Sequence, residues 1–164
     1  MKFHTRVAAT IGASVIAVSA LAAPAIASAP AAEKPQRIVL NQAAPTLKVL
    51  ENPGGNITIY GAPLTTTKGA SAGVLTGTII KVVGSGAGEG AEGRHRDLVF
   101  SLPKGQIVAT GLSIYPTANA EIDANKPVTI AITGGTGRYM GVRGEVKTNR
   151  NADGSYRHVL TLLR

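Results

Sequence analysis

The sequence predicts an all-β protein, an eight-stranded antiparallel β-barrel preceded by an N-terminal signal peptide. Three observations predict it. Short β-branched runs recur between turn residues, and helical i, i+3, i+4, i+7 spacing is missing after the first thirty of 164 residues. Glycine is abundant at 20 residues and proline moderate at 9, a mix suited to short strands and tight turns. Several runs carry apolar residues on both faces, so one face can line an interior and the other can pack on a partner. That favours a barrel that forms a homo-oligomer, a dimer or trimer, over a sandwich.

The leader comes first. Lys2 and Arg6 stand in an acid-free start, and residues 7–23 are apolar or small apart from Thr10, Ser14 and Ser19. Ala25-Ile26-Ala27 then supplies an A-x-A exit, the layout of a secretory signal peptide. Cleavage is expected after Ala27, with Ala29 or Ala31 as alternatives. The apolar stretch is long enough to span a bilayer, so a retained anchor is the competing reading. The Ala-rich composition and the lack of a basic stop-transfer cluster favour cleavage, secretion and no stable membrane insertion. The expected organisation is a signal peptide over 1–27, a flexible lead-in over 28–45 and the barrel domain over 46–164.

Strands are expected in order at 37–41 and 46–50, then, after a turn at 51–55, at 56–60. A loop follows from Pro63 to Ser71. The long run 74–83 places Val74, Thr76, Thr78, Ile80 and Val82 on one face and Leu75, Gly77, Ile79, Lys81 and Val83 on the other. A glycine-rich loop is expected over 84–92. Strands at 97–102 and 106–115 are joined by Pro103-Lys104-Gly105, a three-residue hairpin signal. After a polar stretch, 116–127, the runs 128–133 and 139–148 flank Gly134-Gly135-Thr136-Gly137. Asp153-Gly154 turns the chain into the last strand, 155–163, by supplying the positive φ angles of a tight hairpin. These connections are too short for crossover helices, so a parallel sheet is ruled out.

Composition narrows the chemistry. There is no cysteine, which excludes disulfides, a thiol nucleophile and thiolate metal sites. The formal charge is +8, from 17 Lys+Arg against 9 Asp+Glu, and loss of Lys2 and Arg6 lowers it to +6. The basic residues are scattered singly, so a soluble basic surface rather than a nucleic-acid interface is expected. The glycine runs at 84–90 and 134–137 lack the helix that a dinucleotide site requires. His95 and His158 have no carboxylate at a ligand spacing, so neither a metal nor a cofactor is expected.

The run from Val128 to Gly144 holds Thr133-Gly134-Gly135-Thr136-Gly137-Arg138-Tyr139 and ends in Arg143-Gly144. It resembles the signature of the dirigent and allene oxide cyclase families, where a strand enters a glycine-rich turn, an aromatic follows and an Arg-Gly pair opens the next strand. The likeness extends more loosely from Asn56 to the C-terminus. It implies an eight-stranded barrel with an apolar pocket, as in secreted bacterial members, and cyclase or radical-coupling chemistry. Gly134, Gly135, Gly137 and Tyr139 would form the structural turn, the glycines through positive φ and Tyr139 as an anchor. The family's catalytic sets are not reproduced. The dirigent acidic pair is matched by Gly61 and Ala62, the next strand's Arg by Val74, and Tyr60-Gly61-Ala62-Pro63-Leu64 stands where allene oxide cyclases carry Gly-Asp-Leu-Val-Pro. Arg143 does match the dirigent Arg-Gly position.

Two functions follow as expectations. The first is a secreted barrel that binds a small apolar molecule. The second is a barrel cyclase or isomerase that orients a reactive unsaturated or phenolic substrate without a metal or covalent nucleophile. The candidate ligand-contacting residues are Tyr60, Tyr115, Arg143 and His158, as hydrogen-bond donors or charge stabilisers. Arg143, Glu145 and Lys147 share one strand face, and if that face is outside, Arg143 is a surface residue.

Overall fold

Nine strands form among the described residues of the computed structural model, which are 34–51, 56–82, 84, 86–116, 121–124 and 126–163. They are β1 (Gln36–Gln42), β2 (Thr46–Leu50), β3 (Ile57–Thr66), β4 (Ser71–Val82), β5 (Ala91–Leu102), β6 (Gly105–Pro116), β7 (Val128–Gly135), β8 (Arg143–Arg150) and β9 (Tyr156–Leu163). Neighbours are antiparallel in the order β1-β9-β8-β7-β6-β5-β4-β3-β2. β1 pairs with β9 on one edge, from Gln36 opposite Leu162 to Gln42 opposite Tyr156. On its other edge it pairs with β3, from Leu40 opposite Thr66 to Gln42 opposite Leu64, and this seam closes the sheet. Eight strands, β1 and β3 to β9, therefore make the barrel. β2 follows β1 along the same edge of β3, from Thr46 opposite Gly61 to Leu50 opposite Ile57.

Several expected boundaries are corrected. The lead-in placed at 28–45 contains β1, so the barrel begins at Gln36 rather than at residue 46. The loop expected from Pro63 is strand, because β3 runs on to Thr66. Pro63 falls where the edge of β3 passes from β2, ending at Gly61, to β1, starting at Leu64. A residue without an N–H is tolerated at such a ladder gap. β5 starts at Ala91, six residues before the expected strand and inside what was read as loop at its start. The expected leader, 1–27, and the turn at 52–55 lie outside the described residues.

The Gly134–Gly137 segment closes one end of the barrel. β7 carries through Gly135, a single 3-10 turn follows at Gly137–Tyr139, and β8 begins at Arg143 rather than at Tyr139. A Cβ on Gly135 would lie 2.5 Å from the Gln106 carbonyl oxygen, and Gly137 holds a φ of +57°. Only glycine fits both positions without a shift of backbone. Tyr139 is buried at this end beside Val142.

Inward side chains divide the barrel into two halves. Toward the Tyr139 end lie Leu40, Leu64, Leu75, Leu98, Phe100, Ile107, Ile132, Leu160 and Leu162, all buried in one aliphatic cluster. An eight-stranded barrel is just wide enough for such side chains to fill it. At the opposite end the same alternation brings in Gln42, Tyr60, Arg96, Ser113, Tyr115, Thr148, Tyr156 and His158, buried and mostly polar. The barrel is an apolar plug under a polar chamber.

Candidate functional site

β5 builds the centre of the polar end. Its alternation turns Glu92, Arg94 and Arg96 inward, above Leu98 and Phe100. Arg96 is only 3% exposed, which is rare for a guanidinium that has no carboxylate partner among the described residues. It bonds to Tyr60, while its Nε and Nη1 have no partner. Burial opposes its charge, but the Tyr115, Tyr60 and Tyr156 oxygens around it hold its pKa above the ordinary value. Both nearby carboxylates are already engaged. Glu92 takes Lys81 at 2.6 Å and Arg94, and Glu121 takes Arg150 at 2.5 Å. Burial pushes the Glu92 pKa up, yet the hydrogen bonds from Lys81 and Arg94 outweigh it and hold the group below its usual range.

Three tyrosines ring the guanidinium. Tyr60 on β3 lies across Gly77 of β4, where a Cβ would stand 2.4 Å from the Tyr60 ring, so this glycine makes room for it. Tyr115 on β6 carries the Arg94 guanidinium over its ring at 4.4 Å. Burial raises the Tyr115 pKa, and burial plus the Glu121 carboxylate, to which Tyr156 donates, raise that of Tyr156. Both hydroxyls therefore stay protonated donors at neutral pH.

His158 forms the floor. It is 1% exposed, with its ring edge-on to Phe100 at 5.4 Å and stacked near Tyr156 at 6.3 Å. Nε2–H donates to Gln42 Oε1 at 2.8 Å, so Nδ1 accepts from the Thr148 hydroxyl at 3.0 Å. Burial, with the Arg96 charge adding to it, lowers its pKa to about 3. His158 is neutral at working pH and orients Gln42; it is no proton donor there.

That shift has a measurable consequence. An unfolded histidine titrates near 6.5, so between pH 6.5 and about 3 the unfolded chain binds a proton that the fold excludes. His158 thus adds stability that is complete above pH 6.5 and is lost as the pH falls through this window. The slope reaches about 1.4 kcal/mol per pH unit. Urea midpoints at pH 7 and pH 5 should fall accordingly in the wild type, and His158→Gln should flatten the difference. An equal fall in the variant would assign the effect elsewhere.

The chamber is narrow. Gln42, Tyr60, Arg96, Tyr115, Tyr156 and the Glu121 carboxylate, which Arg150 holds, border a free space of about 20 Å³, enough for one water or one ligand oxygen. Tyr115 also borders a second, larger space. β6 pairs with β7 only through residues 107–110, opposite 131–135, although β6 runs on to Pro116. Beyond Thr110 the wall opens into a cleft of about 520 Å³ between Leu112, Ile114 and Tyr115 on one side and Ile122, Lys126 and Val128 on the other. That volume is in the range of small-molecule sites.

Of the four residues nominated from the sequence, the structure brings Tyr60, Tyr115 and His158 together inside the barrel. Arg143 is a correction. It is exposed, with Glu145 and Lys147, on the outer face of β8, and its Nη1 donates to the Val142 carbonyl at 2.9 Å. Buried Val146 and Thr148 occupy the inner face. Sequence reasoning missed Arg96, Gln42 and Tyr156. The available signal was the i, i+2 spacing of Glu92, Arg94, Arg96 and Leu98 running into Phe100. Among the described residues no group of three metal-ligating side chains gathers.

No protein-family model and no curated protein matches the chain. Solved structures do. A pyocyanin demethylase is 24% identical with a TM-score of 0.58, over 77% of this chain and 99% of the other. A nonspecific heme-binding cyclase that catalyses a [4 + 2] cycloaddition during neoabyssomicin biosynthesis is 18% identical with a TM-score of 0.60, over 80% of this chain and 66% of the other. The Diels-Alderase AbmU from Streptomyces koyangensis is 18% identical with a TM-score of 0.57, over 78% of this chain and 63% of the other. The chain thus spans just under two thirds of the length of these two cyclases. At such identities the likeness is one of fold, and the fold it identifies is the closed antiparallel barrel that these enzymes share with this chain.

Proposed function

We propose that the protein is a secreted barrel cyclase or isomerase, related to the allene oxide cyclase and dirigent kind, that orients one small, unsaturated, oxygen-bearing substrate. The observation that carries this is the buried Arg96 with Tyr60 and Tyr115, a set of donors converging in the polar chamber above the aliphatic half of the barrel. Such donors, fixed in a low-dielectric space, polarise a conjugated carbonyl and stabilise charge that develops on its oxygen during ring closure. The barrel wall restricts the remaining chain to a reactive conformer. Ring closure or isomerisation only redistributes bonds within the substrate, so product and substrate have the same mass and no co-reactant is consumed.

The barrel cyclases of like fold support this reading over a plain apolar carrier. So does the lining, because an apolar ligand would leave the free N–H groups of Arg96 and Gln42 unmatched. The test is incubation of the purified protein with a panel of linear polyenyl ketones and polyenyl dicarbonyl compounds. Chromatography and ultraviolet absorption would follow each compound. An isomer of unchanged mass that has lost conjugation is expected. Recovery of every compound unchanged, together with an intact ligand co-purifying from the native host, would establish the carrier instead.

A further inference from the structure

Among the described residues Arg96 is a buried cation without a counter-ion. No ion pair reaches it among the described residues, because Glu92 is held by Lys81 and Arg94 and Glu121 by Arg150. The unmatched polar atoms of the interior point the same way. Arg96 Nε and Nη1, Gln42 Nε2 and Arg150 Nε are all N–H donors, and the fifth buried unmatched atom is the Ser113 hydroxyl oxygen. A water in the 20 Å³ space could accept one of these bonds, but it would not balance the charge. Four basic groups, Lys81, Arg94, Arg96 and Arg150, stand at this end of the barrel against two acids, Glu92 and Glu121.

We infer that the substrate enters as an organic anion and seats a negatively charged oxygen, of a carboxylate or an enolate, on Arg96. This rests on the reading of the chamber as the substrate site and names the substrate class. The limited space admits an oxygen but no ring, so the charged head occupies the chamber and displaces the water that fits there. Arg96 Nε or Nη1 donates to it, and Gln42 Nε2 supplies a further N–H. The apolar body lies past Tyr115, which borders both spaces, in the cleft against Leu112, Ile122 and Val128.

The experiment pairs anions with neutral analogues of the same shape. Full-length protein is titrated with formate, acetate and cinnamate and, separately, with formamide, acetamide and cinnamamide. The readouts are the Arg96 Nε–H resonance and the melting temperature. The anions are expected to bind at least about tenfold more tightly than their neutral counterparts, and Arg96→Gln is expected to abolish the preference. Equal binding of each pair, or an Arg96 resonance that none of the three anions moves, would overturn the inference. Should Arg96→Gln fail to fold, the wild-type resonance decides alone. The two readings fail separately. Anion binding without any isomer formed would remove the cyclase and keep the anion site, whereas conversion of neutral polyenes by a protein indifferent to anions would do the reverse.

Discussion

Arg96→Met is expected to raise the melting temperature and, on the proposed cyclase reading, to lower turnover by about 10²–10³. The two effects have one cause. The guanidinium is buried, carries a full charge and is faced by the oxygens of Tyr60, Tyr115 and Tyr156. Replacing a buried ion by an apolar side chain of similar volume is often stabilising by about 1–4 kcal/mol. Loss of the bond to Tyr60 offsets part of this gain. For a domain of this size each kcal/mol shifts the melting temperature by roughly 3–6 °C, so a rise of several degrees is expected by calorimetry. Removal of a donor aimed at a developing oxyanion commonly costs about 10²–10³ in kcat. A variant that melts lower than wild type and turns over at the wild-type rate would show that Arg96 serves the fold alone.

Phe100→Ala is expected to cost about 3–5 kcal/mol, the usual range for truncating a fully buried aromatic. Phe100 has no exposed surface and sits at the boundary of the two halves, with Leu98 on the same strand face and the edge of its ring against His158. Against a typical domain stability of about 5–15 kcal/mol, that loss leaves the barrel marginal. Phe100→Leu keeps most of the volume and should cost less than about 1.5 kcal/mol. Urea denaturation of the three proteins at pH 7 makes the comparison. The alanine variant carries a second signature. A cavity under the imidazole admits water, the His158 pKa climbs from about 3 toward its ordinary value, and the acid sensitivity of stability shrinks. A loss below 1 kcal/mol, with acid sensitivity unchanged, would mean that neighbouring side chains had collapsed into the gap.

How far the sequence could be read depends on which way its polar residues face. β6 and β9 were legible because Ile107 and Ala109, or Leu160 and Leu162, alternate against more exposed neighbours and are bounded by turn residues. The same rule hid the start of β5. Glu92, Arg94 and Arg96 occupy the inner positions, and a period-two reading assigns charged positions to solvent or to a loop. Their cost is met by specific partners, Lys81 on β4 and the tyrosines of β3 and β6, which are remote in sequence. Tyr60 and Tyr115 were nominated as hydrogen-bond donors, and the alternation of β3 and β6 turns both inward. Arg143 was nominated through the family resemblance, and the alternation of β8 turns it outward.

The pairing of β1 with β9 gives the chain a particular kinetics of assembly. β1 is the first of the described strands to be synthesised, yet one of its two partners is β9, with Gln36 meeting Leu162. Hairpins such as β5–β6 can zip locally within microseconds once synthesised. Joining the two ends of the sheet instead requires a loop of more than a hundred residues to close, a step that contributes entropy cost long before it returns contacts. Until then Gln42 and His158 are apart, and the polar chamber does not exist. Formation of the imidazole–amide bond between them thus reports the last stage of folding, and a nascent chain lacking its final strand holds an open sheet with two bare edges.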